Sequence, residues 1–547
     1  MLLILVTNIG APGAICLNNE AAIQSNPFPI KILNMSEEQM TIDNRVTKKH
    51  SILCPEHYMG AENFLDKGVG FTVDPCDWGI DVQNILTAIL LYNSNNYGNR
   101  TDVAKGMEKD YPGIKIITIV QANDFIYLPE GNETSLKDVK VQKTKDLSTV
   151  LNEVIDKIVT DYVFIGRNLV HYNQYSKFQR LMRVISSHNV QVVSGSYRNL
   201  TGHWTPGCIQ IYMKNYALNL QEGYKKSVDG CMLCHFVPGS FVLSKNLTRI
   251  HKFSNFPEDL MFLDFFLDLS LNNIKVVSCV DVMSYTSQGL SYGEATNSFW
   301  RKLATKWAFN SITLPNNNKL KFTCKELKIS CKYSLTKQYL LPPCCIDRFR
   351  ETLNCLTSVL CKHGVRYEVV SGSSLGAVKF RGYMPWDIDV DLSYKVEDND
   401  KIFRLKSEFA ENGCPLSDQK CHRKERCYVV AVRGTAGMFI DFWPRLPQIK
   451  IYLDGYHKYP TKVRYEGFWM STYHSPGFFA RNKYGPNYLQ HSRSWRFTGG
   501  DTQHHNYSGA GQFPTCFHYD HSSKFNPYVA HACLGNFPAD GNLNFDP

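Results

Sequence analysis

The 547 residues predict an α/β protein, an open-sheet domain followed by an α+β domain, and three observations predict it. Short β-branched runs alternate with helix-length amphipathic stretches from about residue 77 to residue 285, the pattern of a layered α/β structure. Asn316, Asn317 and Asn318 follow Pro315 and break that alternation ahead of a Lys- and Cys-rich stretch. Beyond the break, an apolar helical pattern leads into a strand where acidic and apolar residues alternate strictly.

These breaks imply a lead segment at 1–75, an α/β domain at 76–315, a Cys-rich linker at 316–345 and a second domain at 346–547. Strands are expected at 114–120, 162–166, 190–194, 239–243 and 274–277, with helices at 147–159 and 259–271. The second helix carries Leu260, Leu263, Phe266, Leu267 and Leu271 at helical spacing. The second domain opens with a helix at 346–361, marked by Ile346, Phe349, Leu353, Leu356 and Leu360, and a strand at 367–370 follows. Residues 468–547, rich in aromatics, Gly and His, predict loops over a core laid down earlier.

An apolar fraction of 43% against 20% charged residues supports sizeable cores and excludes a disordered chain. The formal charge of +10 is spread along the chain, which excludes a nucleic-acid-binding arm and favours a small anionic substrate. Met1 to Val6 are apolar with no basic residue ahead of them, a poor signal peptide and too short to span a membrane, so no convincing anchor is visible. Sequons at Asn34, Asn99, Asn132, Asn199, Asn246 and Asn506 are no more than chance supplies in an asparagine-rich chain and by themselves decide nothing. The 18 cysteines fit either lumenal disulfides or bound metal.

The chemistry concentrates between residues 367 and 441. Val369-Val370-Ser371-Gly372-Ser373-Ser374-Leu375-Gly376 runs from a strand into a small-residue turn, where backbone N–H groups of Gly372 and Ser373 can approach a phosphate. In Trp386-Asp387-Ile388-Asp389-Val390-Asp391-Leu392, β-geometry puts Asp387, Asp389 and Asp391 on one face. Three adjacent carboxylates repel, and a hard cation with oxygen ligands, Mg²⁺ or Mn²⁺, relieves that repulsion. A hairpin from residues 428–432 through Gly434 to Gly437 and on to 439–443 would bring up Asp441, alone among apolar neighbours and in need of a partner. An ordinary half-exposed edge strand, with Asp441 capping a turn or pairing with an arginine, is the alternative for each element taken singly.

The stretch from Ser371 to Asp391, with Leu375-Gly376-Ala377, Lys379-Phe380-Arg381-Gly382 and Pro385-Trp386-Asp387, resembles the signature of the LicD family. Phe439-Ile440-Asp441-Phe442-Trp443-Pro444 is similar to that family's second acidic motif, and Tyr484-Gly485 to its late one. Ile388 departs from the family, many of whose members have another Asp there. The resemblance implies a polymerase-β-like nucleotidyltransferase fold and a CDP-linked donor. Asp387, Asp389, Asp391 and Asp441 would then be the catalytic, Mg²⁺- or Mn²⁺-binding set. Gly372, Ser373, Lys379, Arg381, Trp386 and Tyr484 would bind the donor. It implies ribitol 5-phosphate transfer from CDP-ribitol to an O-mannose-type glycan of a glycoprotein in the Golgi or ER lumen, by an enzyme anchored in its complete form and with room for homo-oligomers through the N-terminal domain. The alternatives are phosphocholine or glycerol-phosphate transfer to a glycan or glycolipid, and a non-catalytic glycan-binding or assembly protein.

Family members with this layout carry a zinc-binding cysteine cluster ahead of the catalytic domain, and Cys324, Cys331, Cys344 and Cys345 occupy the corresponding place. From the residues alone they suffice for one tetrahedral zinc or for two disulfides. Residues 228–231, 236–243 and 256–260 resemble the second half of a GT-A (Rossmann-type) glycosyltransferase, but Tyr162-Val163-Phe164-Ile165-Gly166-Arg167-Asn168 lacks the metal-binding acid expected in the first half. That implies a catalytically silent domain used for glycan binding or assembly, with Glu258-Asp259 reduced to an acidic pair at a helix start. Cys231 and Cys234 read as structural rather than redox-active, and His504, His505, His518, His521 and His531 as surface or core residues.

Overall fold

The computed structural model describes residues 51–60, 70–93, 100–122, 125–127, 146–214, 216–287, 297–332, 341–384, 387–420, 426–445, 461–485 and 488–489. The first part is built on a mixed sheet of eleven strands. Leu86–Asn93 lies towards one side of it, parallel to both Lys115–Ala122 and Tyr162–Arg167. Phe241–Ser244 joins antiparallel between Tyr162–Arg167 and Val192–Asn199, and Val276–Thr286 runs parallel to the latter. Buried on both faces, Leu86–Asn93 reads as a nearly continuous apolar run, so no alternation announced it in the sequence.

Strand pleating divides the core in two. Ile89, Leu91, Val163 and Ile165 face one layer, packed with the helices Leu147–Lys157, Glu258–Leu271 and Asn297–Trp307. Ala88, Leu90, Tyr92 and Phe164 face the other, with Arg100–Asp110 and Gln179–Ser187. The Leu147–Lys157 helix starts where the Asp146 side chain accepts the Thr149 N–H, a local N-cap.

The second part is a five-stranded sheet in the order Tyr367–Val369, Asp389–Lys395, Phe439–Arg445, Arg426–Ala431, Leu416–Lys420. The Asp389–Lys395 and Phe439–Arg445 strands are parallel, and the remaining pairs antiparallel. Val390, Leu392, Ile440 and Phe442 form one core with Phe349, Leu353, Leu356 and Leu360 of the Pro343–Lys362 helix. That helix begins earlier than expected because Pro343 fits its first position, and it takes in Cys344 and Cys345.

Three expectations change. The small-residue stretch after Val370 is a helix, Ser371–Phe380, rather than an open turn, because Leu375, Ala377 and Phe380 are buried and tertiary packing overrides the low propensity of Ser and Gly. Residues 468–484 are not all loop: Phe468–Ser471 is a strand and Pro476–Tyr484 a helix. Asp387 lies just ahead of its strand, which begins at Asp389. Trp386, the histidines from His504 onward, and the sequons at Asn34, Asn99, Asn132 and Asn506 lie outside the described residues.

Candidate active site

Asp391 and Asp441 are direct partners across the two parallel strands, just as Val390 pairs with Ile440 and Leu392 with Phe442. The apolar pairs take the face that packs on the Pro343–Lys362 helix, which leaves both aspartates on the opposite face. The hairpin that delivers Asp441 forms as its sequence suggests, with Val429 opposite Asp441. Asp387 is fixed beside them by its own backbone: its N–H donates to Met384 O at 2.9 Å, and its Oδ1 accepts from Ile388 N at 2.9 Å. Tyr383, stacked on Phe349 with ring centroids 4.1 Å apart, donates its hydroxyl to Asp387 O.

The Ser371–Phe380 helix aims its N-terminus at this face. The chain enters through an extended Val370 and a left-handed Ser371, φ 51°, a conformation unusual for a side-chain-bearing residue and typical of strained functional turns. The Val370 N–H donates to Asp391 O, and the Asp391 N–H to Ser373 Oγ at 2.8 Å, which ties helix to strand. A Cβ on Gly372 would stand 3.7 Å from Asp387 Oδ2 and 3.8 Å from Asp391 Oδ2, so this glycine lies directly against both carboxylates. Its N–H donates to Asp391, a carboxylate held at a helix N-terminus.

Burial is the main force on these acids and mutual repulsion the next. Asp387 is pushed well above the carboxylate range by burial, then by Asp389, with which it shares a hydrogen bond, and by Asp391. Asp391 is raised to about 7 by burial, Asp389 and Asp441, and Asp441 to about 7 by burial and Asp389. Asp441 Oδ1 is buried without a hydrogen-bond partner among the described residues. A buried carboxylate oxygen left this way calls for a cation or a proton, and a hard divalent ion fits the all-oxygen donor set. Among the described residues, three donor atoms lie within 4.8 Å of one another only in cysteine-containing groups, so no three of these carboxylates close to that spacing.

The other expected site residues are distributed unevenly. Ser373 is buried, and its hydroxyl is committed to the Asp391 N–H. Lys379 and Arg381 sit at the far end of the helix, about 12 Å from Gly372 at 1.5 Å per residue. Burial holds the Lys379 ammonium down to about 8. Tyr484 packs against Leu375, Phe380, Met384 and Ala480. Three groups were not legible. Lys483, from the Pro476–Tyr484 helix, is the cation whose charge acts on Asp391. Tyr473 accepts the Ser371 N–H and stacks on Phe479 at 3.7 Å. Glu466 accepts from Tyr383 N at 2.7 Å and pairs with Arg350, fixing the approach to Asp387. All three arrive from chain segments remote in sequence, and no local pattern marks them.

In the linker, Cys324 is joined to Cys344 and Cys331 to Cys345, with Cys324 Sγ also 3.7 Å from both Cys331 Sγ and Cys345 Sγ. All four sulfurs therefore share one buried cluster. Cys231 and Cys234 bond to Cys279 and Cys208 respectively, which removes any redox CxxC. In the first part, buried Arg167 stands at the end of the strand that lacks the expected acid. It donates to Glu258 at 2.8 Å, Asp259 at 2.5 Å and Pro238 O at 2.5 Å. Glu258 and Asp259 thus do more than open a helix: they neutralise a buried guanidinium.

Residues 364–484 match the family model described as LicD/FKTN/FKRP, nucleotidyltransferase domain. The chain is similar to the ribitol 5-phosphate transferases FKRP of Homo sapiens and Mus musculus, 34% identical to each over 112 residues. That match covers 20% of this chain and spans only 22% of each relative's length. Among solved structures, GalNAc-T7 with UDP, GalNAc and Mn²⁺ aligns at 9% identity and a TM-score of 0.30, over 42% of this chain and 50% of that one. The catalytic domain of Drosophila beta1,4galactosyltransferase 7 in complex with xylobiose aligns at 9% identity and a TM-score of 0.20, over 36% and 65%.

Proposed function

We propose, on the footing of a LicD-type nucleotidyltransferase domain at residues 364–484, that this chain transfers ribitol 5-phosphate from CDP-ribitol to a glycan of a glycoprotein and releases CMP. The observation that carries the reading is the pairing of Asp391 with Asp441 beside Asp387 and Asp389, with Asp441 Oδ1 orphaned and a helix N-terminus aimed at the group. Asp387, Asp389, Asp391 and Asp441 would hold one or two Mg²⁺ or Mn²⁺ ions, which neutralise the donor pyrophosphate when bound. Gly372, lacking a side chain against the carboxylates, leaves its end of the helix open to phosphate oxygens. Lys483 adds the nearby positive charge. The acceptor hydroxyl attacks the phosphorus that bears the alcohol and gives its proton to one of the four carboxylates, the P–O bond of the pyrophosphate bridge breaks, and CMP leaves with that bridging oxygen.

The rest of the reading follows the same resemblance. In its reduced, four-thiolate form the cysteine cluster would hold a structural zinc, the first part is a GT-A-like domain without catalysis of its own, and the protein works in the Golgi or ER lumen. Arg167 supports the silent assignment, because a buried cation neutralising Glu258 and Asp259 leaves no free acidic pair there. The experiment incubates the purified chain with CDP-ribitol, CDP-choline or CDP-glycerol and an O-mannosyl glycan acceptor, and follows CMP with and without EDTA. CMP from CDP-ribitol that EDTA abolishes and Mg²⁺ restores is the expected result. Turnover of another donor in its place reassigns the alcohol, and no metal-dependent CMP from any donor defeats the proposal.

A further inference from the structure

We infer that Asn199 carries an N-linked glycan, a modification site independent of the transferase reading. Two of the sequons lie among the described residues, and their surroundings differ. Asn199-Leu200-Thr201 forms the tip of the hairpin joining Val192–Asn199 to Trp204–Thr205. Leu200, the middle residue, is 66% exposed. The Asn199 side chain is held ready: its Oδ1 accepts the His203 N–H at 2.8 Å and the Thr201 hydroxyl at 2.8 Å. Nδ2, the atom that would bear the sugar, has no hydrogen-bond partner among the described residues.

At Asn246 the third residue of the sequon faces inward. Thr248 is 1% exposed, and its hydroxyl donates to Lys245 O at 2.8 Å. The hydroxyl that the transfer requires is therefore sealed in the folded chain at Asn246 and open at Asn199.

The disulfides raise a chance motif to a site. Cys54–Cys76, Cys208–Cys234, Cys231–Cys279 and Cys355–Cys414 bridge residues 22 to 59 positions apart in sequence, and such bridges form and persist in the oxidising compartments where N-glycosylation also occurs. Two of them flank the hairpin directly: Cys208 follows it within a few residues, and Cys279 lies on the strand paired with Val192–Asn199. The co-reactant is a lipid-pyrophosphate-linked oligosaccharide. A bond forms between Asn199 Nδ2 and the anomeric carbon, the bond from that carbon to the pyrophosphate oxygen breaks, the lipid pyrophosphate leaves with the electron pair, and one Nδ2 proton is released.

The test expresses the full chain in animal cells and digests it with peptide N-glycosidase in ¹⁸O-water before peptide mass spectrometry. Position 199 should appear as ¹⁸O-labelled aspartate only after the enzyme. The matching gel-mobility increment should vanish in both Asn199→Gln and Thr201→Ala and persist in Thr201→Ser, which keeps the hydroxyl and controls for folding. Asn246→Gln should leave that increment in place. An unmodified Asn199 overturns the inference, and a non-reducing gel on the same sample then shows whether the compartment or the hairpin was misjudged.

Discussion

Asp441 shows how a single side chain can cost stability and be retained. It is 7% exposed, its Oδ1 has no hydrogen-bond partner among the described residues, and Asp391 stands opposite it in register. A buried polar atom left unsatisfied costs about 1–3 kcal/mol, and repulsion adds to that. Asp441→Asn should therefore raise the melting temperature of the metal-free protein while lowering CMP release at least about 100-fold, measured by thermal denaturation and the donor assay on one preparation. A melting temperature that falls would mean Asp441 has a structural partner in place of a missing ion. The pH dependence has a definite sign. The folded values of Asp391 and Asp441, about 7, lie above the ordinary 3.8, so the folded metal-free chain binds extra protons. Their contribution to stability is full below about pH 4 and is lost as the pH rises through about 7. The metal-free protein should melt lower at about pH 8 than at about pH 6, and added Mg²⁺ should restore more stability at the higher value. Equal Mg²⁺ effects at both would separate the ion from these carboxylates.

Two glycines on the Ser371–Phe380 helix separate its chemical from its packing role. The atoms nearest a Cβ at Gly372 are two carboxylate oxygens and Met384 Cε, at 3.7–3.8 Å, ordinary contact distances. A Cβ at Gly376 would lie 2.6 Å from Gly382 O, a backbone atom with little freedom to retreat. Gly376→Ala should cost about 1–3 kcal/mol of stability, read from denaturant melts. Gly372→Ala should melt near the parent temperature yet raise the KM for the donor, because the added methyl fills the open end of the helix. If Gly372→Ala leaves KM unchanged, phosphate does not approach there. This helix is also where the sequence was hardest to read. Ser371-Gly372-Ser373-Ser374-Leu375-Gly376 has the composition of a turn, and only the burial of Leu375, Ala377 and Phe380 makes it helical. The acidic strand was legible because period-two alternation on a half-buried surface is a local signal. Lys483, Tyr473 and Glu466 were not, because their relation to Asp391, Ser371 and Tyr383 exists only once the sheet has formed.

Across the whole molecule, the α/β pattern before the asparagine break and the α+β pattern after it were legible in outline. The fully buried Leu86–Asn93 strand escaped because a continuous apolar run carries no period. The linker between the two parts was ambiguous for a different reason: four cysteines specify a sulfur cluster without specifying its chemistry. Leu327 belongs to the first core, while Cys324 and Cys331 join the second, so the cluster clasps the two parts together. Its non-bonded sulfur contacts of 3.7 Å match the edge of a tetrahedron with zinc–sulfur bonds of about 2.3 Å, about 3.8 Å. Reduction of the Cys324–Cys344 and Cys331–Cys345 bonds by a dithiol reductant, two electrons to each bond, would give the four thiolates that accept the ion. Elemental analysis of the extensively dialysed chain should then find about one zinc, and chelation under denaturing conditions, without reductant, should release four thiols to a colorimetric reagent. Because the clasp joins both cores, removing zinc should lower the melting temperature even at saturating Mg²⁺, whereas Cys344→Ser should lose the zinc and leave the Asp391–Asp441 pair intact. No zinc, and no thiols until reductant is added, would mean that the clasp stays in the disulfide form of the structure and holds no ion.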